Sequence, residues 1–229
     1  MNPTETLAHR FQEKAEAVSA IVTRVASVQA ALDYAVTLCE QKEACQLLVA
    51  GCEAPLSAPA ETLCDTKQTK VIAAPGLPPD QLATLEALCA ARGIQCTASH
   101  LRDHLAGIDI GLTYADFGIA ETGTLLLVEN EGNGRMVTTL PRVHIALMGI
   151  ERLVPTYDDL ALALTLLPRA ATGQTISVYI QVIQGPRRED ELDGAVERHA
   201  VAHLLVDEVD QQHRVAHDYA GQRDHADHR

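Results

Sequence analysis

Three short stretches of this sequence concentrate side chains that could do chemistry. The first is Tyr114-Ala115-Asp116-Phe117-Gly118-Ile119-Ala120-Glu121-Thr122-Gly123-Thr124, which leads directly into the apolar run Leu125–Val128. A carboxylate, two hydroxyls and a glycine therefore stand at the entrance to a strand. Glu121 could serve as nucleophile, general base or hydrogen-bond acceptor. Thr122 and Thr124 can donate hydrogen bonds from restricted χ1 rotamers, and Gly123 lets another backbone or a ligand come close. The same residues also suit a tight turn in which Glu121 caps local amides.

The second stretch is Leu140-Pro141-Arg142-Val143-His144-Ile145-Ala146-Leu147. Strand alternation puts Arg142 and His144 on one face and Val143 and Ile145 on the other. A guanidinium beside an imidazole suits a carboxylate or a phosphate. A histidine packed in a sheet next to a surface arginine is the alternative. The third stretch, Gln184 to Gly194, contains Gly185-Pro186-Arg187-Arg188-Glu189-Asp190-Glu191 and reads as a loop. Arg187 could hold an anion, or it could pair with the acids that follow.

Other patterns carry less. Gly132-Asn133-Gly134 reads as a turn; no Lys-Ser/Thr follows it to make a phosphate-cradling loop, and no G-x-G-x-x-G is completed. His213 and His217 stand at i, i+4, but they lie in a polar tail, so no metal site is assigned. The six cysteines, at 39, 45, 52, 64, 89 and 96, include no C-x-x-C, which excludes the common iron–sulfur spacing. They read as free, mostly buried thiols.

These residues need elements to position them. Leu7, Phe11, Ala15 and Val18 form an apolar stripe on a helix over 4–18, and Ala31, Tyr34, Ala35 and Leu38 do so over 27–43. Short apolar runs follow at 47–50, 71–74, 108–112, 125–128, 143–148, 176–183 and 201–206, each the length of a buried strand. Helical stretches separate some of them, notably Asp80–Arg92 closed by Gly93 and Tyr157–Leu167 closed by Pro168. Alternating strands and helices predict an α/β domain with a largely parallel sheet covered on both faces. Residues 108–148 leave no room for full helices between their strands and predict hairpins or closely following strands. The organisation expected is an N-terminal helical segment over 1–44, an α/β domain over 45–210 and a polar tail over 211–229.

Composition limits the partners. The chain has 229 residues, 47% of them hydrophobic, enough for a continuous core. Lys+Arg of 18 against Asp+Glu of 31 gives a charge of −13, which disfavours nucleic acid and anionic membrane surfaces. With 5 Tyr, 2 Phe and no Trp there are few rings on which bases could stack. No run approaches a membrane span, and the first residues lack the pattern of a secretory signal, so the expected location is cytoplasmic.

The strings Ile119-Ala120-Glu121-Thr122-Gly123-Thr124-Leu125, Leu140-Pro141, His144-Ile145 and Gly185-Pro186-Arg187 together resemble the LUD-domain family. Within it they are most similar to the lactate utilization protein C branch (LutC, YkgG-like), over roughly residues 45 to 208. The resemblance implies a three-layer sandwich like that of the ribose-5-phosphate isomerase, glucosamine-6-phosphate deaminase and CoA-transferase superfamily. It also implies a part in oxidising L-lactate to pyruvate with LutA-like and LutB-like iron–sulfur proteins, the clusters belonging to those partners and no cofactor to this chain. Catalytic roles would then fall to Glu121 and His144. Thr122, Gly123, Thr124, Arg142 and Arg187 would border the pocket for a small hydroxy or oxo acid.

Two other readings stay open. One is a stand-alone isomerase or acyl-transfer enzyme using Glu121. The other is a non-catalytic assembly or regulatory protein. Removing hydride or electrons from lactate requires a redox group, which the sequence does not supply.

Overall fold

The computed structural model describes residues 2–42, 69–101, 107–129, 133–173, 175, 179–186 and 200–207. The apolar run 47–50, Arg187 and the tail 211–229 lie outside them. Helix α1 (Pro3–Ala17) starts at Asn2, whose side chain accepts from the Thr4 amide, with Pro3 in the first turn where its missing N–H costs nothing. Its stripe Ala8, Phe11 and Ala15 is buried. After β1 (Ile21–Val25), Ser27 caps α2 (Val28–Gln41), which buries Ala31, Leu32, Ala35, Val36 and Cys39. Then come β2 (Val71–Ala73), α3 (Pro79–Ala91), β3 (Gln95–Thr97), β4 (Ile110–Tyr114), β5 (Phe117–Ile119) and β6 (Thr124–Glu129). A short α4 (Asn133–Thr139), β7 (Val143–Gly149), a 3-10 turn, β8 (Leu153–Val154), α5 (Asp158–Thr172), β9 (Tyr179–Ile183) and β10 (Ala200–Val206) complete the described elements.

The described strands form two sheets. Six parallel strands run in the order β1-β10-β7-β4-β2-β3, and four more in the order β8-β5-β6-β9. The expected hairpin is β5–β6, paired antiparallel with Ile119 opposite Thr124. Alternation sorts the two faces of the larger sheet. Val143, Ile145 and Leu147 of β7 join Leu112, Leu204 and the helices α2 and α3 in one core. Ala146 and Met148 point the other way, into a second core shared with Phe11 of α1 and Leu125 and Leu127 of β6. Helix α5 then covers the outer face of the small sheet through Leu160, against Ile119 and Leu126. Layers of helices, sheet, helix with second sheet, and helix result.

Several expectations need correction. Residues 1–44 do not form a segment separate from the sheet: β1 pairs with β10, and α1 and α2 cover opposite faces of the larger sheet. Strand β1 escapes a sequence reading because Thr23 and Arg24 break its apolar run. Pro168 does not end a helix. It sits inside α5, its fixed φ compatible with the helix, and the helix stops at Gly173, whose φ of 72° makes a left-handed cap. Asn133 and Gly134 open helix α4 instead of forming a turn. None of the described helices is long and apolar enough to cross a membrane.

Candidate functional site

The turn between β5 and β6 carries the first set of candidates. Its backbone is fixed from outside the hairpin: the Ala120 amide donates to the Val154 carbonyl at 2.9 Å and the Glu121 amide to Pro155 at 3.1 Å. Gly123 closes the turn by donating to the Ile119 carbonyl at 2.9 Å, with φ at +69°. These bonds leave the Glu121 side chain exposed while Thr122 is half-buried and Thr124 buried. The hydroxyls of Thr122 and Thr124 lie 2.7 Å apart and share a hydrogen bond. The structure thus brings those two together, next to a solvent-facing carboxylate.

Gly123 has a defined neighbour. A Cβ there would stand 2.2 Å from the Ala15 nitrogen and 2.6 Å from the Lys14 carbonyl carbon, so the last turn of α1 rests directly on it. Gly185, in the third candidate stretch, plays the same part: a Cβ there would meet the Val18 carbonyl oxygen at 2.6 Å. Both motif glycines therefore seat the end of one helix. Val18 precedes β1 by three residues and Arg142 directly precedes β7, both at the edge where the parallel strands begin. Ligands of open α/β sheets more commonly sit at the opposite, carboxyl edge. Arg142 is half-buried there and engaged in interactions of its own.

His144 has a different environment from Glu121. It is 2% exposed, on the inner face of β7, and its Nε2 is 2.8 Å from Thr113 Oγ1 of the neighbouring strand. Sequence reading missed two companions. His203 lies on β10, in register with Ala146 and on the same face as His144, fully buried, with its ring 5.6 Å from that of Phe11. The only signal was a lone histidine inside the apolar run Val201–Val206. Thr113 gave none. Burial pushes the His144 imidazole down to about 3, with a further contribution from His203, and burial alone brings His203 down to about 4. Both rings are neutral. Among the described residues nothing accepts from or donates to His144 Nδ1 or either nitrogen of His203.

The arrangement supports two chemistries. The β5–β6 turn offers the Glu121 carboxylate and the half-buried Thr122 hydroxyl to a solute arriving from solvent. The His144–Thr113–His203 group offers neutral imidazoles inside an apolar layer, where gaining a proton would bury a charge. Among the described residues no three His, Cys, Asp or Glu side chains are grouped to hold a metal ion.

The comparisons with known proteins agree with this architecture. The chain superposes on the crystal structure of a DUF162 family protein from Deinococcus radiodurans with a TM-score of 0.54 at 17% identity, over 91% of this chain and 100% of that one. It is 48% identical over 101 residues to lactate utilization protein B of Macrococcus caseolyticus, and 46% identical to the protein of that name from Bacillus subtilis. Each match takes in 44% of this chain but only 21% of the relative, so the chain spans a small part of the curated proteins it matches. These relatives carry the name protein B, where the motifs led to an expectation of protein C. The LUD domain model matches residues 8–202, from within α1 into β10. The chain belongs to the LUD-domain family.

Proposed function

We propose that this protein is a component of a lactate-utilization system, taking part in the oxidation of L-lactate to pyruvate alongside iron–sulfur proteins. The observation that carries this reading is the 46–48% identity to proteins named lactate utilization protein B in several bacteria, within a chain matched to the LUD domain over residues 8–202. Oxidising a hydroxy acid to a keto acid removes two electrons and two protons, so an electron-accepting group must take part. The family resemblance places the clusters in partner proteins, and the lack of a C-x-x-C in this sequence fits that placement. The contribution of this chain would be recognition of a small organic acid or docking to those partners. Thr122 and Arg142 are the donors proposed for a carboxylate; Thr124 is buried and holds the Thr122 hydroxyl. His144, expected from the sequence to take the hydroxyl proton, is sealed against Thr113 and held neutral by burial, so that role is not assigned to it.

Deleting the gene tests the pathway. Growth on L-lactate as sole carbon source should stop while growth on pyruvate continues, and the intact gene should restore it; unimpaired growth on lactate would overturn the reading. The exposure of Glu121 favours a second reading, in which this carboxylate is base or nucleophile in an isomerase or acyl-transfer enzyme. That reading requires turnover of a sugar phosphate or acyl-CoA by the purified protein, lost in Glu121→Gln.

A further inference from the structure

Away from the motifs, three thiols gather where α3 meets the edge strand β3. Cys89 and Cys39 are buried, Cys96 is half-buried, and all three are free. The sequence separation of Cys89 and Cys96 is closed by a tight reversal. The Arg92 and Ile94 amides both donate to the Cys89 carbonyl, at 3.0 and 2.9 Å, and Gly93 at φ +66° turns the chain back into β3. The returning strand brings Cys96 against the same core as Cys89, where the two thiols are neighbours. Among the described strands β3 is the last of the six-stranded sheet, and Cys96 on it is half-buried whereas Cys89 on α3 is fully buried.

We propose that Cys89 and Cys96 form a redox-active dithiol, a modification site that hydroperoxides convert to an intramolecular disulfide. Exposure fixes the order of events. Cys96 is the thiol that solvent reaches, and its contact with Cys89 holds it below the ordinary thiol range, whereas the same contact and burial push Cys89 up. The Cys96 thiolate attacks the peroxide O–O bond, which breaks to give Cys96 sulfenic acid and, after protonation, water or an alcohol. The Cys89 sulfur then attacks the sulfenic sulfur, expelling hydroxide that leaves as water with the Cys89 proton. The two thiols together lose two electrons and two protons, and the peroxide gains them. Cys39, fully buried on α2, stays outside the exchange.

The experiment uses the full chain, treated with equimolar hydrogen peroxide, alkylated, digested and mapped by mass. One cross-link between the peptides carrying Cys89 and Cys96 is expected, lighter by two hydrogen atoms and reversed by dithiothreitol. Cys96 should lose its free thiol about ten-fold faster than Cys39, in keeping with its access and thiolate character. Cys89→Ser should accumulate a Cys96 sulfenic acid that dimedone traps, Cys96→Ser should abolish both products, and Cys39→Ser should leave the cross-link intact. Oxidation of Cys96 to the sulfinic acid in the unsubstituted protein without a cross-link would overturn the proposal. So would alkylation of Cys89 and Cys96 undiminished by peroxide. Because both of those readouts use the unsubstituted chain, they stand even if a serine variant fails to fold.

Discussion

Acidification is the perturbation that the buried histidines make most informative. His144 and His203 are neutral in the folded protein, with values near 3 and 4, and regain the ordinary value of about 6.5 when the chain unfolds. Below pH 6.5 the unfolded chain therefore binds protons that the folded chain refuses. Stability is complete above that pH and falls as pH drops, until the folded values are reached. Between pH 7 and pH 5 each ring contributes about 2 kcal/mol of lost stability, and the two together about 4 kcal/mol. For a domain of this size that corresponds to a melting temperature lower by about 10 °C. The window lies above the titration of Glu5, which its hydrogen bond to Arg24 holds below the ordinary carboxylate value. The assay is urea unfolding at half-unit steps of pH, read for the slope of stability. His203→Leu should reduce the slope from two protons toward one while leaving the fold intact. A slope unchanged in that variant, or a flat profile in the unsubstituted protein, would refute the assignment of neutral, sealed imidazoles.

Two further outcomes follow from packing. Gly123→Ala must both hold a positive φ and place a methyl group against the backbone of Ala15. It should destabilise by about 2–4 kcal/mol, read by denaturant midpoint, and raise proteolytic cleavage within α1. Asp109→Ala removes a 2%-exposed carboxylate that accepts from the Val71 amide at 2.9 Å and pairs with Lys42 at 3.4 Å. A loss of about 2–4 kcal/mol is expected from the orphaned amide and the broken pair, whereas a change under about 0.5 kcal/mol would show that water replaces the carboxylate.

What the sequence made legible was whatever an uninterrupted apolar run or a capped stripe could mark. Val143–Gly149 and Ala200–Val206 match the runs expected at 143–148 and 201–206, because strands buried on both faces are apolar throughout. Strands β3, β5 and β8 have three residues or fewer, too short for any periodicity to emerge. The reach of α5 beyond Pro168 was hidden for a different reason: proline is a strong local stop, and only the left-handed Gly173 shows where the helix ends. At the candidate site the residue types were readable and their surroundings were not. Arg142 and His144 read as a pair, yet His144 faces Thr113 inside the second core, while Arg142 sits before the strand at its starting edge. Which side of a sheet another layer will cover is decided by residues distant in the chain, here α1 and β6.

The two motif glycines narrow where function should be sought. A glycine inside a short run of polar residues invites the idea of a ligand pressed against the backbone, and Gly123 does have a backbone pressed against it, that of Ala15. Gly185 receives Val18 in the same way. Packing therefore accounts for both glycines, and through them for the placing of α1, whose Phe11 in turn lies over His203. Packing does not account for Glu121. Its backbone is tied to Pro155 while its side chain is left in solvent, and neither the turn nor the core gains from a carboxylate there. Glycine variants of this motif will consequently report on folding, with activity falling in step with stability. Glu121→Gln, which leaves the turn and its hydrogen bonds in place, is the substitution whose effect on lactate-dependent growth separates chemistry from architecture.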